Sequence, residues 1–226
     1  MENIKKKKYL SPFKILAIGF ATVILTGGVL LSLPISSVSG QYTSLLDTIF
    51  TATSAACVTG LVVVDTGTYW SVFGQWIILI LIEIGGLGFM ALSTIFALLL
   101  GKRISLRERL VMQEAYNTFS LQGVISHVRY MLFFTLAVQG GAALILMTQF
   151  IPLYGIGTGI YYGIFHAISA FNNAGFDLLG NFTSVTVLNT NKVVLMTLGT
   201  LINIGGLGYL VWRVMISSIS VTYTHL

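Results

Sequence analysis

Two stretches decide the fold: IFTATSAACVTG, from Ile49 to Gly60, and IFHAISAFNNAG, from Ile164 to Gly175. They align without gaps at an offset of 115 residues, with six of twelve positions identical. Each lies in a short apolar segment, Leu45 to Val58 and Ile160 to Ala174, that closes on a glycine. Segments of about 10–14 apolar residues are too short to cross a bilayer and read as re-entrant or buried helices. A second motif recurs downstream. LIEIGGLG, from Leu81 to Gly88, matches LINIGGLG, from Leu201 to Gly208, at seven of eight positions and an offset of 120. The chain therefore reads as an internal duplication.

Four stretches around these motifs are apolar and long enough to span a membrane: Ile15 to Leu33, Ile77 to Leu100, Tyr130 to Ile151 and Val193 to Trp212. Of the 226 residues, 55% are hydrophobic and only 8% charged. A soluble domain carries about 25% charged residues, so this composition excludes an ordinary cytosolic enzyme, a disordered chain and a coiled coil. The single Cys57 excludes a disulfide scaffold. Lysine and arginine sort by side: Lys5 to Lys8 with Lys14, then Lys102, Arg103, Arg107, Arg109 and Arg129, then Arg213. The two other connections hold only Lys192. The positive-inside rule then puts both termini and the 101–129 loop in the cytoplasm. That topology accounts for the net charge of +5 without a nucleic-acid partner.

The fold class expected is an all-α integral membrane protein of two parallel span–pore helix–span repeats, with four transmembrane helices and two re-entrant half-helices. The divisions are a cytoplasmic N-terminus (1–14), a first repeat (15–100), a basic loop (101–129), a second repeat (130–213) and a divergent tail (214–226). Two full spans per half give both halves the same orientation, unlike the inverted repeats of many carriers. Non-helical backbone at membrane depth persists only when buried in protein or facing a water-filled path. A row of carbonyl oxygens replaces the water of a dehydrated alkali cation, and Gly60 and Gly175 permit the dihedrals such a turn needs. VTGL and NAGF are degenerate relatives of the potassium-channel filter sequence, and they occur at equivalent places.

With SAACVTGL and SAFNNAGF at the turns and IGGLGF and IGGLGY in the helices that follow, the sequence resembles the Trk/Ktr/HKT superfamily of potassium transporters over roughly residues 10–213. The likeness is greatest to the KtrB-type membrane subunit. It implies potassium uptake through a central pore in the cell membrane, with filter backbone at Val58, Thr59, Gly60 and at Asn173, Ala174, Gly175. It also implies a homodimer, sodium stimulation in some members, and a cytoplasmic nucleotide-binding regulatory ring (KtrA-like). No cofactor is implied, and potassium is the substrate. Family members carry four such repeats, and a gating loop in the third. Two unit lengths account for this chain, so the expectation is a half-length product, truncated or frame-shifted near Arg213. It would be a non-conducting fragment unless further repeats, such as those of a second copy, complete the ring.

Several residues invite sharper or blander readings. Glu83 is an intramembrane acid, costing about 2.5–3.5 kcal/mol if charged and lipid-facing. The functional reading pairs it with a filter-supporting backbone or hydroxyl group, and the blander one is a helix-packing or interfacial acid near the outer end. Its counterpart is Asn203, so the architecture does not require the charge, and direct ion coordination is the less favoured role. Asp65 and Asp177, just outside the turns, are possible pore-mouth acids that concentrate cations, weighed against ordinary loop acids. IGGLG follows no strand, so a dinucleotide site fails and close helix approach explains it. GIGTG, Gly155 to Gly159, reads as a flexible turn and Cys57 as a small buried packing residue. Ser169, His166 and Asp177 form no credible triad, and a lone His166 is no metal site. No enzyme is expected.

Overall fold

The computed structural model describes residues 12–88, 124–209, 211–212 and 214–215, and among these the chain is helical with no strand. An isolated antiparallel bridge pairs Ser37 with Trp70. The helices are α1 (Pro12–Ser32), α2 (Leu45–Ala56), α3 (Thr66–Tyr69), α4 (Val72–Leu87), α5 (Val124–Tyr154), α6 (Ile156–Phe171) and α7 (Lys192–Gly206). Short 3-10 turns occupy Pro34–Ser36 and Ser184–Leu188. The starts are capped as the sequence dictates. Ser71 accepts the Gly74 N–H at 3.3 Å, and Asn191 accepts the Val194 N–H at 3.2 Å.

Two helical stretches, Phe13–Ser32 and Val128–Tyr154, are long and apolar enough to cross a bilayer. The other two expected spans are interrupted at a glycine. The helix expected from Ile77 runs from Val72 and stops at Leu87, because Gly88 takes φ +79° and donates its N–H back to the Gly85 carbonyl. Residues 89–100 and most of the 101–129 loop lie outside the described residues. The helix from Lys192 likewise ends at Gly206, with Gly208 at φ +79°, and helical backbone resumes at Tyr209. IGGLG is thus a helix stop as well as a packing surface.

Two further expectations change. The second short helix begins at Ile156 rather than Ile160, directly after Gly155 turns the chain at φ +82°. GIGTG is therefore one turn residue followed by helix, and a Cβ at Gly159 would lie 2.6 Å from the Ile151 backbone. Cys57 is exposed, not buried. It caps the end of α2, with its N–H donating to Thr53 O, where its side chain leaves the helix packing.

The core has two parts. Leu31, Trp70, Ile78 and Ile82 from the first half pack with Phe165, Ala174, Phe176 and Leu178 from the second. Leu146 and Phe150 on α5 pack with Phe171, Leu198 and Leu201. The α6 helix contributes to both, so it is wedged between α4 and α5 and its C-terminal turn is held from two sides. In a bilayer such side chains hold helices together by close van der Waals contact rather than by removal from water.

Candidate functional site

The short helices α2 and α6 each end in a turn built from the same hydrogen bonds. After α2, the N–H groups of Cys57, Val58 and Thr59 donate to Thr53, Ala55 and Ser54 at 2.8, 3.2 and 2.9 Å. After α6, those of Asn172, Asn173 and Ala174 donate to Ile168, Ala170 and Ser169 at 3.1, 3.0 and 2.8 Å. Every pair is separated by the same 115 residues found in the sequence. Val58 and Asn173 both take positive φ, at 49° and 58°, and Gly60 and Gly175 follow at 73° and 75°. Positive φ is uncommon outside glycine, and for a β-branched residue such as Val58 it is an outlier. The serines reinforce the turns. Ser54 Oγ lies 2.9 Å from Thr59 Oγ1, and Ser169 Oγ donates to the Phe176 carbonyl at 2.6 Å.

The two turns meet. A Cβ on Gly60 would sit 2.5 Å from the Ala174 carbonyl oxygen and 3.3 Å from Gly175 Cα. The six sequence-expected residues Val58, Thr59, Gly60, Asn173, Ala174 and Gly175 are thereby brought to one place. Among the described residues, none of their six carbonyl oxygens accepts a hydrogen bond. Neither α2 nor α6 has a basic residue in its last turn, so each presents an uncompensated negative helix end. Both helices are seated by the glycine motif. A side chain at Gly85 would run into the Ala56 carbonyl, and one at Gly205 into the Phe171 carbonyl.

On the side of the return segments lies a cavity of about 180 Å³ lined by Gly60, Asp65, Gly175 and Asp177 among others. Asp65 is a working cap as well as a cavity acid. Its Oδ1 accepts from the Thr68 N–H and hydroxyl, each at 2.8 Å, and its Oδ2 accepts the Phe182 N–H at 2.7 Å. Partial burial works against its charge, but the donors from Phe182 and Thr68 outweigh it and hold the carboxyl below its ordinary range. Asp177 accepts the Leu179 N–H at 2.9 Å.

The family profile described as TrkH, cation transport protein, matches residues 9–225. The chain belongs to the TrkH family. This is a family of membrane transport proteins rather than enzymes. The potassium/sodium uptake protein NtpJ of Enterococcus hirae is 46% identical over 219 residues, which are 96% of this chain and 48% of that protein. The Ktr system potassium uptake protein B of Bacillus subtilis is 48% identical over 177 residues, 78% of this chain and 39% of its own. The protein of the same name from Vibrio alginolyticus is 39% identical over 204 residues, 88% of this chain and 44% of its own. The chain thus spans about half the length of the curated relatives it matches.

Within this TrkH-family chain, Glu83 stands behind the second turn rather than in either one. Its Oε2 accepts from the Asn172 and Gln139 side-chain amides, not from the backbone or hydroxyl partner expected. His166 is enclosed, and its Nε2 accepts the Leu178 N–H at 3.3 Å, which leaves Nδ1 to donate to Tyr162 O at 2.7 Å. It holds the return strand of chain in place. Gln75 spans the halves: its Nε2 donates to carbonyls of Thr66, Gly67 and Trp70, and its Oε1 accepts from the Tyr161 hydroxyl. Sequence reasoning passed over Asn172, Gln139, Gln75 and Ser54, weighed Ser169 only as a triad member, and gave neither Ser54 nor Ser169 a place in the turns. The last two carried a usable signal, being identical residues at equivalent positions. The amides carried none, since their partners lie 56 to 89 residues away in the chain.

Proposed function

We propose that this chain forms part of the ion path of a potassium uptake protein of the cell membrane, with the turns at Val58–Gly60 and Asn173–Gly175 facing the ion. In this reading the chain is two parallel span–pore helix–span repeats, crosses the membrane several times, and keeps both termini in the cytoplasm. The observation that carries it is the pairing of two like turns whose six carbonyl oxygens accept no hydrogen bond among the described residues. Thr59, Asn173 and Gly175 are exposed, so this row of oxygens is open to a ligand, and such carbonyls replace the water of a dehydrated cation. The negative ends of α2 and α6 favour the same ligand. Asp65 and Asp177 raise cation concentration in the cavity outside the turns. Names of relatives as potassium or potassium/sodium uptake proteins support potassium as substrate and sodium as a second ion.

The half-length coverage favours a second element of the proposal: further repeats complete the ring around the ion. They come from a second copy of this chain or from additional sequence, and a single copy by itself does not conduct. A cytoplasmic nucleotide-binding ring subunit of the KtrA type is the regulatory partner expected for a Ktr-like membrane subunit. The lipid bilayer covers the remaining apolar faces. Growth at low potassium of cells lacking their own uptake systems tests the proposal. Restored growth is expected if copies assemble, and its loss in Gly60→Ser assigns it to the turn.

A further inference from the structure

We infer that Glu83 is a positioning residue for the second turn, acting as a hydrogen-bond acceptor on Asn172 and not as an ion ligand. The inference rests on reading Asn173–Gly175 as an ion-facing turn. Asn172 is the residue on which α6 ends, immediately before that turn, and it is buried. Its Nδ2 donates to the Ile168 carbonyl at 3.0 Å and to Glu83 Oε2 at 2.8 Å, so both amide hydrogens are used. Its Oδ1 lies where a side chain at Gly86 would have to go, so only glycine there lets the amide seat against α4. Gln139 of α5, also buried, donates to the same Glu83 oxygen at 3.0 Å. One acceptor atom on α4 therefore gathers α5 and the end of α6, and the amide cannot rotate without losing a bond.

The arrangement is one-sided. The first turn has Cys57 where the second has Asn172, and Cys57 offers no amide. Asn203, the counterpart of Glu83, donates to Gly199 O of its own helix at 2.7 Å. The first half thus supplies a brace for the turn of the second half, and nothing equivalent returns among the described residues. Both amides converge on Oε2 alone. A neutral amide oxygen in that place accepts the same two bonds, so the chemistry required is an acceptor.

The test is hydrogen exchange of backbone amides in the full 226-residue chain reconstituted in lipid, with potassium-over-sodium preference as a second readout. Glu83→Ala is expected to accelerate exchange at Asn173 and Ala174 by about tenfold, with Val58 and Thr59 unchanged. Glu83→Gln is expected to exchange, and to select ions, as the wild type does. Asn172→Asp sets two carboxylates together and is expected to accelerate exchange. Adding Glu83→Gln to it reverses donor and acceptor and is expected to slow exchange again relative to Asn172→Asp alone, short of the wild-type rate because the bond to the Ile168 carbonyl stays lost. Unchanged exchange in Glu83→Ala, equal acceleration at both turns, or a Glu83→Gln variant as perturbed as Glu83→Ala would each overturn the inference. If no chain transports at all, the assembly of copies of this chain into an ion path fails while the exchange rates still decide the brace.

Discussion

The two glycines at the meeting point are not equivalent, although their φ angles differ by only 2°. Any side chain at either position adopts a left-handed conformation costing about 1–2 kcal/mol. At Gly60 a methyl group also meets the Ala174 carbonyl oxygen, whereas at Gly175 it meets Gly60 Cα at an ordinary 3.6 Å. Gly60→Ala is therefore expected to destabilise more than Gly175→Ala, by a further 1–3 kcal/mol or so, read from thermal unfolding in detergent. Equal losses would refute the close contact. Val58 holds positive φ with a β-branched side chain partly packed on the first core cluster. Val58→Asn, the residue of the second turn, is expected to change stability by less than about 1 kcal/mol as relieved strain offsets lost packing. Asp65 adds a pH dependence. Its carboxyl is held below its unfolded value, so its contribution is complete above about pH 5 and is lost as pH falls through and below about 4. Asp65→Asn should flatten that acid limb of the unfolding curve, and an unchanged limb would count against the Phe182 bond.

At the scale of elements, the helix ends are fixed by the repeated IGGLG. Its first glycine receives the carbonyl end of a short helix, Ala56 against Gly85 and Phe171 against Gly205, and its last glycine stops its own helix. Gly85→Ala and Gly205→Ala are each expected to cost about 1–3 kcal/mol by forcing the short helix away from its seat. Retained stability in both variants would show that the seats are loose. Much of this was legible beforehand. The paired short helices, their glycine turns and the role of IGGLG in close packing all follow from the duplication and from hydrophobic lengths. The helix breaks at Gly88 and Gly208 were hidden because hydropathy registers apolar residues and not dihedrals. The start of α6 at Ile156 was hidden because three glycines in GIGTG resemble a loop, while two of them lie in the helix and Gly159 packs closely on Ile151. The brace from Glu83 to Asn172 joins residues 89 apart in sequence, and no local pattern announces such a pair.

For the whole molecule, the same surface that is poorly covered by the chain itself is the surface a membrane or further repeats would cover. Phe13, Leu25, Phe133, Leu144 and Met196 are among the many large apolar side chains the chain leaves exposed. With the chain spanning about half of its relatives, the account places the ion at the junction of two turns and requires the rest of the ring to come from elsewhere. The most direct test is rubidium uptake into cells lacking their own potassium uptake systems, with the chain expressed as wild type, Gly60→Ser and Gly175→Ser. The account predicts uptake that potassium competes for better than sodium, and a loss of that preference in Gly60→Ser at equal expression. Uptake with unaltered ion preference in both variants would contradict the assignment of these turns to the ion path.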